Sequence, residues 1–415
     1  MRILFISNYY PPFEVGGYEQ LCRDVANRLA ARGHQVAVLT SDRRVAGREA
    51  ADDDHIKRTL RIGPSPERPG ATGIEFFVSR QAKTRHNLRR LDQALDEFRP
   101  DVAFIWNLQG LPIELAKACE RRQELAVAYW LAGYSPAEPD GYWRYWQRTP
   151  GRTILRIVKS TLAPLALRIM AAEGKPIRPQ MKYAAVVSHY MRDQGIAAGT
   201  LPPNVQVIYN GVEFETFYHP VRIGGDGRVL RLLQAGRVSR DKGVHTSIQA
   251  LGRLASQGQA ERLQLLIAGS GPAEYEQELQ RLAADQALEK QVKFLGWMPR
   301  EKMPEIMANA EILLLPTEHP EPFARVMLEG MAAGLTVIGS RTGGTEELLW
   351  HGQNGLTFEA GDSRDLARQL ERLLDDDELR RRLASAGQKQ VKEAYTLEIM
   401  VTRLEQLLEQ SLAGA

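Results

Sequence analysis

Short apolar segments alternate with helical patterns along the first half of the chain. In residues 17–32, leucine and valine recur at every fourth position, which predicts a helix with one buried face. Gly33 follows this helix and suits the left-handed conformation in which many helices end. The apolar segments, several of them rich in β-branched residues, are the predicted strands: 2–7, 35–40, 102–106, 125–131, 184–188 and 205–209. This alternation favours a parallel, doubly wound sheet.

The second half repeats the alternation. Its predicted strands are 228–235, 263–268, 292–295, 312–316 and 335–340, and its predicted helices are 244–256, 273–286, 300–308, 325–333 and 363–374. Residues 220–227 are rich in Gly and Pro and separate the two halves as a linker does. A last helix at 397–412 carries one apolar stripe and has no strand after it, so we expect it to pack on an existing surface.

The predicted fold class is therefore α/β, with two Rossmann-like, doubly wound parallel-sheet domains that face each other across a ligand-binding cleft. The first domain covers residues 1–220 and the second covers 221–395. The C-terminal helix, 396–415, is expected to pack back on the first domain.

The composition agrees with two domains of ordinary size. The chain has 415 residues, of which 43% are hydrophobic and 25% charged, and its formal net charge of +3 is too small to indicate a nucleic-acid partner. Cys22 and Cys119 lack metal-ligand spacing and are too few for a disulfide framework, which favours a reducing, cytoplasmic location. We expect neither a signal peptide nor a membrane-spanning helix, because the first apolar segment is short and no window of about 18 apolar residues exists.

One segment is strongly basic. Between Gly141 and Arg192, ten Lys and Arg residues stand against one acid, Glu173. Five of them recur every three or four residues with apolar residues between them, as on one face of a helix: Arg144, Arg148, Arg152, Arg156 and Lys159. Such a basic insertion, residues 141–182, can lie on the anionic inner face of a membrane. It can equally be a helix whose apolar side is in the core and whose cationic side is solvated.

The stretch from Glu321 to Glu329 is the first candidate for chemistry. It follows the predicted strand 312–316 and enters a helix, so it lies at the sheet edge where α/β proteins bind ligands. N–H groups at a helix start suit a phosphate. Eight residues of helical rise separate the two carboxylates by roughly 12 Å, too far to share a proton or a metal ion. They can hold the two ends of an elongated ligand such as a nucleotide-sugar; a solvated helix with scattered acids is the plain alternative.

The turn that begins at Gly236 is a second candidate. It directly follows the strand 228–235, and a glycine there lets the backbone come close to a ligand. Arg237 can fork across phosphate oxygens, and Lys242 can add a point charge. A solvated basic loop is the alternative.

Two further glycine turns and one acidic run complete the candidates. Gly16 and Gly17 open the first predicted helix and suit a diphosphate or a sugar, although their pattern is not that of a dinucleotide site. Gly271 belongs to another strand-to-helix turn.

The run from Asp375 to Asp377 has the Asp-x-Asp spacing of some metal-dependent transferases. It lies between two predicted helices, so we interpret it as helix capping and predict no metal site.

Together these motifs resemble the retaining, GT-B-fold glycosyltransferases of family 4. The resemblance runs over nearly the whole chain and is carried by Pro11-Pro12 with Gly16-Gly17, Ile208 to Val212, Gly236-Arg237 with Lys242-Gly243, Glu321 with Glu329-Gly330, and Gly343-Gly344-x-x-Glu347. Two positions depart from the family pattern. Ala324 stands where the family often has glycine, and residues 130–134 lack the His-Asp pair of many members.

The resemblance implies a role for each candidate residue. Arg237 and Lys242 would neutralise the diphosphate of the donor, and Glu321 would hold the hydroxyls of its sugar; these three are the implied catalytic set. Glu329 would hold the ribose, and Trp297 falls where the family contacts the base. The other implied substrate-binding residues are Gly16, Gly17, Gly236, Gly271, Phe323, Ala324, Arg325 and Val326, with amides near Arg325 and Val326 against a phosphate.

The implied reaction is a retaining, metal-independent transfer of a sugar from a nucleoside-diphosphate-sugar, UDP or GDP, to an acceptor glycan, lipid or small molecule. The first domain would bind the acceptor and the second the nucleotide-sugar, with no further cofactor, in bacterial envelope or exopolysaccharide synthesis. Two alternatives remain open: a nucleotide-sugar-binding protein without transfer activity, and another GT-B enzyme such as a nucleotide-sugar epimerase.

Overall fold

The computed structural model describes residues 1–14, 16–45, 47–49, 53–63, 69–133, 141–147, 153–173, 178–221 and 229–414. The chain divides into two compact units. The first consists of Met1–Val187, Arg192–Ile208 and Val401–Ala415, and the second of Ser188–Met191 and Tyr209–Met400.

A parallel sheet lies at the centre of the first unit. Its strands in the described residues are β1 (Arg2–Ser7), β2 (Gln35–Ser41), β3 (Ile56–Leu60), β4 (Val102–Asn107), β5 (Ala126–Leu131), β6 (Tyr183–Val186) and β7 (Gln206–Val207). They are ordered β3-β2-β1-β4-β5-β6-β7, so the strand order runs outwards in both directions from β1 and the sheet is doubly wound. The helices along this part of the chain are α1 (Gly17–Ala31), α2 (Pro69–Val78), α3 (Arg80–Phe98), α4 (Glu114–Glu120), α5 (Gly141–Gln147), α6 (Thr153–Ala172) and α7 (His189–Ala197).

The second unit has the same organisation. Its described strands are β8 (Leu230–Ala235), β9 (Leu263–Ala268), β10 (Val292–Gly296), β11 (Ile312–Leu315), β12 (Thr336–Ser340) and β13 (Leu356–Phe358), in the order β10-β9-β8-β11-β12-β13. The helices that follow α7 are α8 (Phe214–Phe217), α9 (Val244–Ala255), α10 (Ala273–Asp285), α11 (Met303–Ala308), α12 (Arg325–Ala332), α13 (Thr345–Leu348), α14 (Ser363–Leu374), α15 (Asp377–Ala394) and α16 (Leu397–Ala413). Apolar side chains of the sheet and of α9, α10 and α14 form one buried core.

Most predicted elements are present, with ends shifted by a few residues. The predicted strand 205–209 is reduced to β7, and the strand predicted at 184–188 ends at Val186 as β6. The strands β3 and β13 were not predicted, because β3 is an edge strand with polar residues at its centre and β13 has only three residues. The long helices α3 and α15 were given no predicted bounds, since both are rich in charged residues and bury few apolar side chains.

The C-terminal helix α16 buries the predicted stripe. Its six apolar residues are all at least 98% buried: Leu397, Met400, Val401, Leu404, Leu407 and Leu408. Within the first unit, Glu405 of this helix accepts hydrogen bonds from Arg32 and His34 at the end of α1. Burial by itself would raise the pKa of Glu405, but these two hydrogen bonds lower it below its ordinary value.

The basic segment differs from its prediction where it is described. Lys159 was expected on an exposed basic face, in contact with either lipid or solvent, but it is only 6% exposed, and its ammonium lies 4.3 Å from the centre of the Tyr145 ring. The prediction for Lys159 is therefore wrong. Where α5 and α6 pack together, the ammonium forms a cation–π contact with the Tyr145 ring instead of facing outwards. Arg148 and Arg152, and the side chains of Arg144 and Arg156, lie outside the described residues.

The acidic run at 375–377 behaves as helix-capping residues do. The Asp376 carboxylate accepts the Leu379 N–H at 2.7 Å at the start of α15, and Asp375 pairs with Arg262 at 2.7 Å. The interpretation of this run as a cap is confirmed for Asp376.

Candidate active site

Two loops of the second unit meet through an ion pair. Lys242 ends a short 3-10 turn after β8, and Glu321 lies in the loop after β11. Because β8 and β11 are neighbours in the sheet, their carboxyl ends lie side by side. The Lys242 ammonium donates a hydrogen bond to the Glu321 carboxylate, and both side chains are largely buried. Both residues were predicted from the sequence, and the fold brings them into contact.

Hydrogen bonds from the protein interior hold the Lys242 turn in place. The side-chain amide of Gln234 donates to the Lys242 carbonyl at 2.8 Å, and the Ser247 hydroxyl donates to Gln234 Oε1 at 2.9 Å. The Glu318 N–H donates to the Asp241 carbonyl at 2.9 Å and joins this turn to the loop after β11. The position of the ammonium is thus set by buried polar contacts, which favours a binding site that is formed before the ligand arrives.

Gly236 and Arg237 form an open surface beside this turn. Gly236 has a φ of 136°, and a Cβ built there would have no atom within 4 Å, so the space above its backbone is free for a ligand. Arg237 is exposed, and within the described part of the chain no residue forms an ion pair or hydrogen bond with its guanidinium. Its charge can therefore be offered to an anion without breaking an existing contact.

The turn that contains Gly271 lies directly against the Gly236 loop. Gly236 donates its N–H to the Ala268 carbonyl at 2.9 Å, and Val238 donates to the Ser270 carbonyl at 3.0 Å. A Cβ on Gly271 would lie 1.7 Å from the Val238 carbonyl oxygen, so only glycine allows this approach. The glycine at this position therefore serves backbone packing beneath the loop.

Trp297 lies at the same edge of the sheet, directly after β10. The Gly269 N–H donates to the Gly296 carbonyl at 2.8 Å, which joins the ends of β9 and β10. More than half of the Trp297 side chain is exposed, which is unusual for so large an apolar group. An exposed indole at a strand end can stack on a planar ligand.

Glu329 is held between two guanidinium groups on the buried side of α12. Its Oε1 atom lies 3.5 Å from Arg325 Nε and 3.6 Å from Arg300 Nη1. Arg325 was predicted as part of the site, but Arg300 was not, because it comes from the turn before α11 and no local pattern connects it to Glu329. The Glu329 carboxylate has oxygens that can accept hydrogen bonds from hydroxyl groups of a ligand.

The loop between Glu321 and α12 is anchored by aromatic packing. Phe323 is only 4% exposed and packs between Tyr209 and Tyr395, with ring centres 5.0 and 6.0 Å away. The Asn210 side chain donates to the Phe323 carbonyl at 3.0 Å. The Phe323 side chain thus fixes the loop, while Ala324 and Val326 beside it are partly exposed.

The Gly343-Gly344 pair meets the same loop from the other side. Gly344 donates its N–H to the Glu321 carbonyl at 2.8 Å. A Cβ on Gly344 would lie 2.0 Å from the Pro322 carbonyl oxygen, and one on Gly343 would lie 2.3 Å from the Glu321 carbonyl oxygen. Two adjacent glycines are therefore required for the backbone contact that positions Glu321.

A polar network behind Lys242 was missed in the sequence. The Glu318 carboxylate accepts the Thr246 hydroxyl at 2.8 Å and lies 2.8 Å from His245 Nε2. The other ring nitrogen of His245 lies 2.8 Å from the Tyr275 hydroxyl. These residues belong to α9, α10 and the loop after β11, so their proximity is set by the sheet order and has no local signal.

The first unit has a glycine turn of its own. Gly16 and Gly17 are exposed at the start of α1, where the Glu19 carboxylate accepts the Gly16 N–H at 2.9 Å. The neighbouring Tyr18 hydroxyl donates to the Trp106 carbonyl and lies 3.0 Å from the Trp130 carbonyl oxygen, at the ends of β4 and β5. Burial raises the pKa of Tyr18 well above its usual range, so the hydroxyl stays protonated and holds the turn in place.

Comparison with known families decides the identity of the chain. A model described as "Glycosyltransferase Family 4" matches residues 15–216, and one described as "Glycosyl transferases group 1" matches residues 224–390. The two matches cover both units and include every residue of the predicted site. The chain belongs to glycosyltransferase family 4.

Relatives agree with this assignment. Over 424 aligned residues the chain is 26% identical to a glycogen synthase of Mycobacterium tuberculosis, which covers 98% of this chain and 94% of the relative. It is 28% identical to the N-acetyl-alpha-D-glucosaminyl L-malate synthase of Bacillus anthracis over 54% of this chain and 59% of that enzyme.

Solved structures establish the fold class of this family 4 glycosyltransferase as GT-B. The crystal structure of Anabaena HepE in complex with UDP-glucose superposes with a TM-score of 0.68 at 19% identity, over 99% of this chain and 100% of HepE. The sucrose-phosphate synthase of Thermosynechococcus elongatus gives a TM-score of 0.72 at 20% identity, with both chains covered completely.

Two further properties bear on what this glycosyltransferase contains. The described residues include no group of three or more His, Cys, Asp or Glu side chains placed to bind a metal ion. None of the helices in the described ranges is both long and apolar enough to cross a membrane.

Proposed function

We propose that this enzyme transfers a sugar from a nucleoside-diphosphate-sugar to an acceptor with retention of configuration and without a metal ion. The observation that carries the proposal is the Lys242–Glu321 ion pair beside the exposed Arg237 and the open Gly236 backbone. A sugar diphosphate has hydroxyls for a carboxylate and phosphate oxygens for an ammonium and a guanidinium, and the loops after β8 and β11 supply all three groups through Glu321, Lys242 and Arg237.

In the proposed reaction, Arg237 and Lys242 stabilise the leaving nucleoside diphosphate. Glu321 orients the sugar, and Glu329 holds the ribose. The acceptor attacks on the face from which the diphosphate departs, and a phosphate oxygen takes its proton, so no protein nucleophile is required. The two cysteines fit this scheme, since burial raises the pKa of Cys119 to about 12 and that of Cys22 well above its ordinary value, and neither is poised as a thiolate.

A panel of nucleotide-sugars tests the donor. UDP-glucose is the first choice because HepE binds UDP-glucose; GDP- and ADP-sugars complete the panel. A ligand at 100 times its Kd stabilises the folded state by about 2.7 kcal/mol, so one base class is expected to raise the unfolding midpoint by several degrees. If a folded protein shows no shift with any donor, the proposed donor site is wrong.

Turnover with and without an acceptor separates transfer from the alternatives. A transferase releases nucleoside diphosphate in proportion to the glycosylated acceptor, and the anomeric configuration of the product reports retention. An epimerase would convert the donor without an acceptor, and a binding protein would do neither. Adding EDTA is expected to leave the rate unchanged, and a loss of activity that Mg²⁺ or Mn²⁺ restores would contradict metal independence.

We also propose that the first unit contacts an anionic membrane through α2 and α6. These helices pack with α5 around a small core of Phe76, Tyr142, Trp146, Ala166 and Met170, yet they expose large apolar side chains. Ile74 is 69% exposed on α2, and Ile157 is 64% exposed on α6. Residues 153–172 contain no acid, and Arg168 is exposed among them. An apolar and cationic surface of this kind is typical of helices that lie on anionic lipid.

Vesicle flotation tests this surface. The pair Ile157→Ser with Leu165→Ser is expected to reduce binding to phosphatidylglycerol vesicles at least tenfold. Full burial of one such side chain contributes about 1.5–3 kcal/mol, and each of the two has at least half of its surface still to bury. Ile196→Ser, on the exposed surface of α7, is the matched control and should bind as the wild type does. Equal binding by both variants would contradict the proposed contact.

A further inference from the structure

Three arginines surround the loop that joins β1 to α1 in the first unit. Arg43 and Arg44 follow β2, and Arg58 lies in β3, the next strand of the sheet. The Arg44 and Arg58 guanidinium groups lie 5.0 and 5.1 Å from the centre of the Phe13 ring. The Arg43 guanidinium lies 4.8 Å from the centre of the Tyr9 ring. Three guanidinium groups therefore lie around this loop, at the carboxyl edge of β1 and β2. We call them the residue 43/44/58 cluster.

The members of this cluster form no direct ion pairs within the described protein. Glu14, the acid of the loop, pairs with Arg48 at 3.1 Å instead. Arg58 donates to the carbonyl oxygens of Tyr10 and Pro11, at 3.0 and 2.5 Å, and these neutral acceptors take two of its five N–H groups without removing its charge.

The arginines also repel one another. Burial and the neighbouring charge of Arg44 lower the pKa of Arg58, and the negative charge of Asp53 offsets only part of this effect. Like charges held this close store a repulsion that a bound anion relieves. Arg44 is exposed, and its guanidinium has no hydrogen-bond or ion-pair partner among the described residues, so it is the member free to make direct contact.

We propose that the residue 43/44/58 cluster binds the phosphate group of a phosphorylated acceptor. A phosphate monoester or diphosphate carries close to two charges and matches the fork of Arg44, whereas a carboxylate carries one charge for three guanidinium groups. The phosphate group belongs to a soluble sugar phosphate or to a lipid-linked sugar diphosphate, which share this chemistry. The assignment to the acceptor rests on the proposed transfer reaction, while the anion site itself does not.

The three arginines of the cluster differ in exposure and in hydrogen bonding, so each is expected to have a different role. Arg58 is half-buried and fastened to the loop backbone, so it acts as a positioning residue that supplies a fixed positive field. Arg43 donates to the Tyr9 hydroxyl at 2.8 Å and keeps further N–H groups available. Arg44 is the residue that can donate two parallel hydrogen bonds to the phosphate oxygens. The same loop continues to the exposed Gly16 and Gly17 turn, so the anion is bound next to the predicted substrate turn of this unit.

Isothermal titration of the full chain tests the site with four probes: glucose, glucuronate, glucose 6-phosphate and farnesyl diphosphate. Saturating UDP is present so that phosphate binding at the nucleotide site does not contribute. At least one phosphate probe is expected to bind ten times more tightly than glucose or glucuronate, and more weakly as salt rises. Whichever phosphate probe binds identifies the source, soluble or lipid-linked. Glucuronate binding as tightly as both phosphate probes would overturn the phosphate assignment.

Substitutions locate the binding. Arg44→Gln is expected to weaken the phosphate probe about tenfold or more, the loss typical of a charge-assisted hydrogen bond, and Arg44→Lys to restore part of it. Arg89→Gln on the exposed surface of α3 removes the same charge and should bind as the wild type does. Equal weakening by the two glutamine variants would overturn the proposal, because net charge alone would then explain the effect.

The failure of this site and the failure of the proposed transfer are distinguishable. The thermal shift caused by UDP should be unchanged in Arg44→Gln, because the substitution is in the other unit from Arg237 and Lys242. If UDP gives no shift in the wild type, the nucleotide site is wrong, and titration without UDP still tests the cluster. If UDP binds but the phosphate probes bind no better than glucose, the cluster proposal alone is wrong.

Discussion

Arg237→Ala is expected to lower kcat for sugar transfer by about 10²–10³-fold, the usual cost of removing one preorganised group that stabilises developing negative charge. The guanidinium is exposed beside the open Gly236 backbone and is unpaired within the described chain, so its removal leaves no buried partner unsatisfied. The effect should therefore appear in transfer and in the UDP-induced thermal shift, but not in the stability of the unliganded protein. Steady-state kinetics and thermal unfolding measure the two quantities.

Arg281→Ala provides the matched control. Arg281 is exposed on α10 of the same unit, and its removal changes the net charge by the same amount. Its kcat should stay within a few-fold of the wild type. A loss in Arg281→Ala as large as that in Arg237→Ala would show that general electrostatics, rather than contact with the diphosphate, sets the rate.

Gly243→Ala is expected to destabilise the second unit by roughly 2–4 kcal/mol, which lowers its unfolding midpoint by about 5–15 °C. Gly243 has a φ of 63°, and a Cβ there would lie 1.9 Å from the Pro316 carbonyl oxygen. The methyl group thus adds a backbone clash to an unfavourable conformation. Gly243 directly follows Lys242, and Pro316 directly follows β11. A backbone shift that relieves the clash is therefore expected to displace Lys242 from Glu321 as well.

Gly258→Ala separates the clash from the conformation. Gly258 has a φ of 76°, but a Cβ there would have no atom within 4 Å. Only the left-handed conformation is then penalised, which costs about 1 kcal/mol. Thermal unfolding of both variants measures the difference, and similar midpoints for the two would mean that the Gly243–Pro316 contact relaxes freely.

The fold class could be predicted correctly from the sequence because the signals for strands and helices lie within short segments of the chain. Each buried parallel strand appears as a short apolar run, and each helix of ordinary amphipathicity shows a regular apolar stripe. The elements that were missed or left without bounds have neither signal. The strand β3 is a half-exposed edge strand, and α3 and α15 bury few apolar side chains, so composition gave them no distinctive pattern.

The candidate site was predicted as a set of separate loops. Glycine at a strand end, basic residues in the next turn and carboxylates before and within a helix are all visible in the chain, because strand ends place such loops at one edge of a parallel sheet. What the chain did not show is which loops touch. The error at Lys159 has the same origin, since spacing along a helix does not tell which of its faces another helix covers.

The sequence by itself determined the alternation of strands and helices, the glycine turns and the residue types of the nucleotide-sugar site, because these depend on neighbours along the chain. Only the tertiary structure decided the contact between Lys242 and Glu321, the position of Glu329 between Arg300 and Arg325, and the grouping of arginines without ion pairs around Phe13. These contacts join residues that are distant in the chain. Strand order and side-chain packing bring them together, and neither is encoded in any single segment.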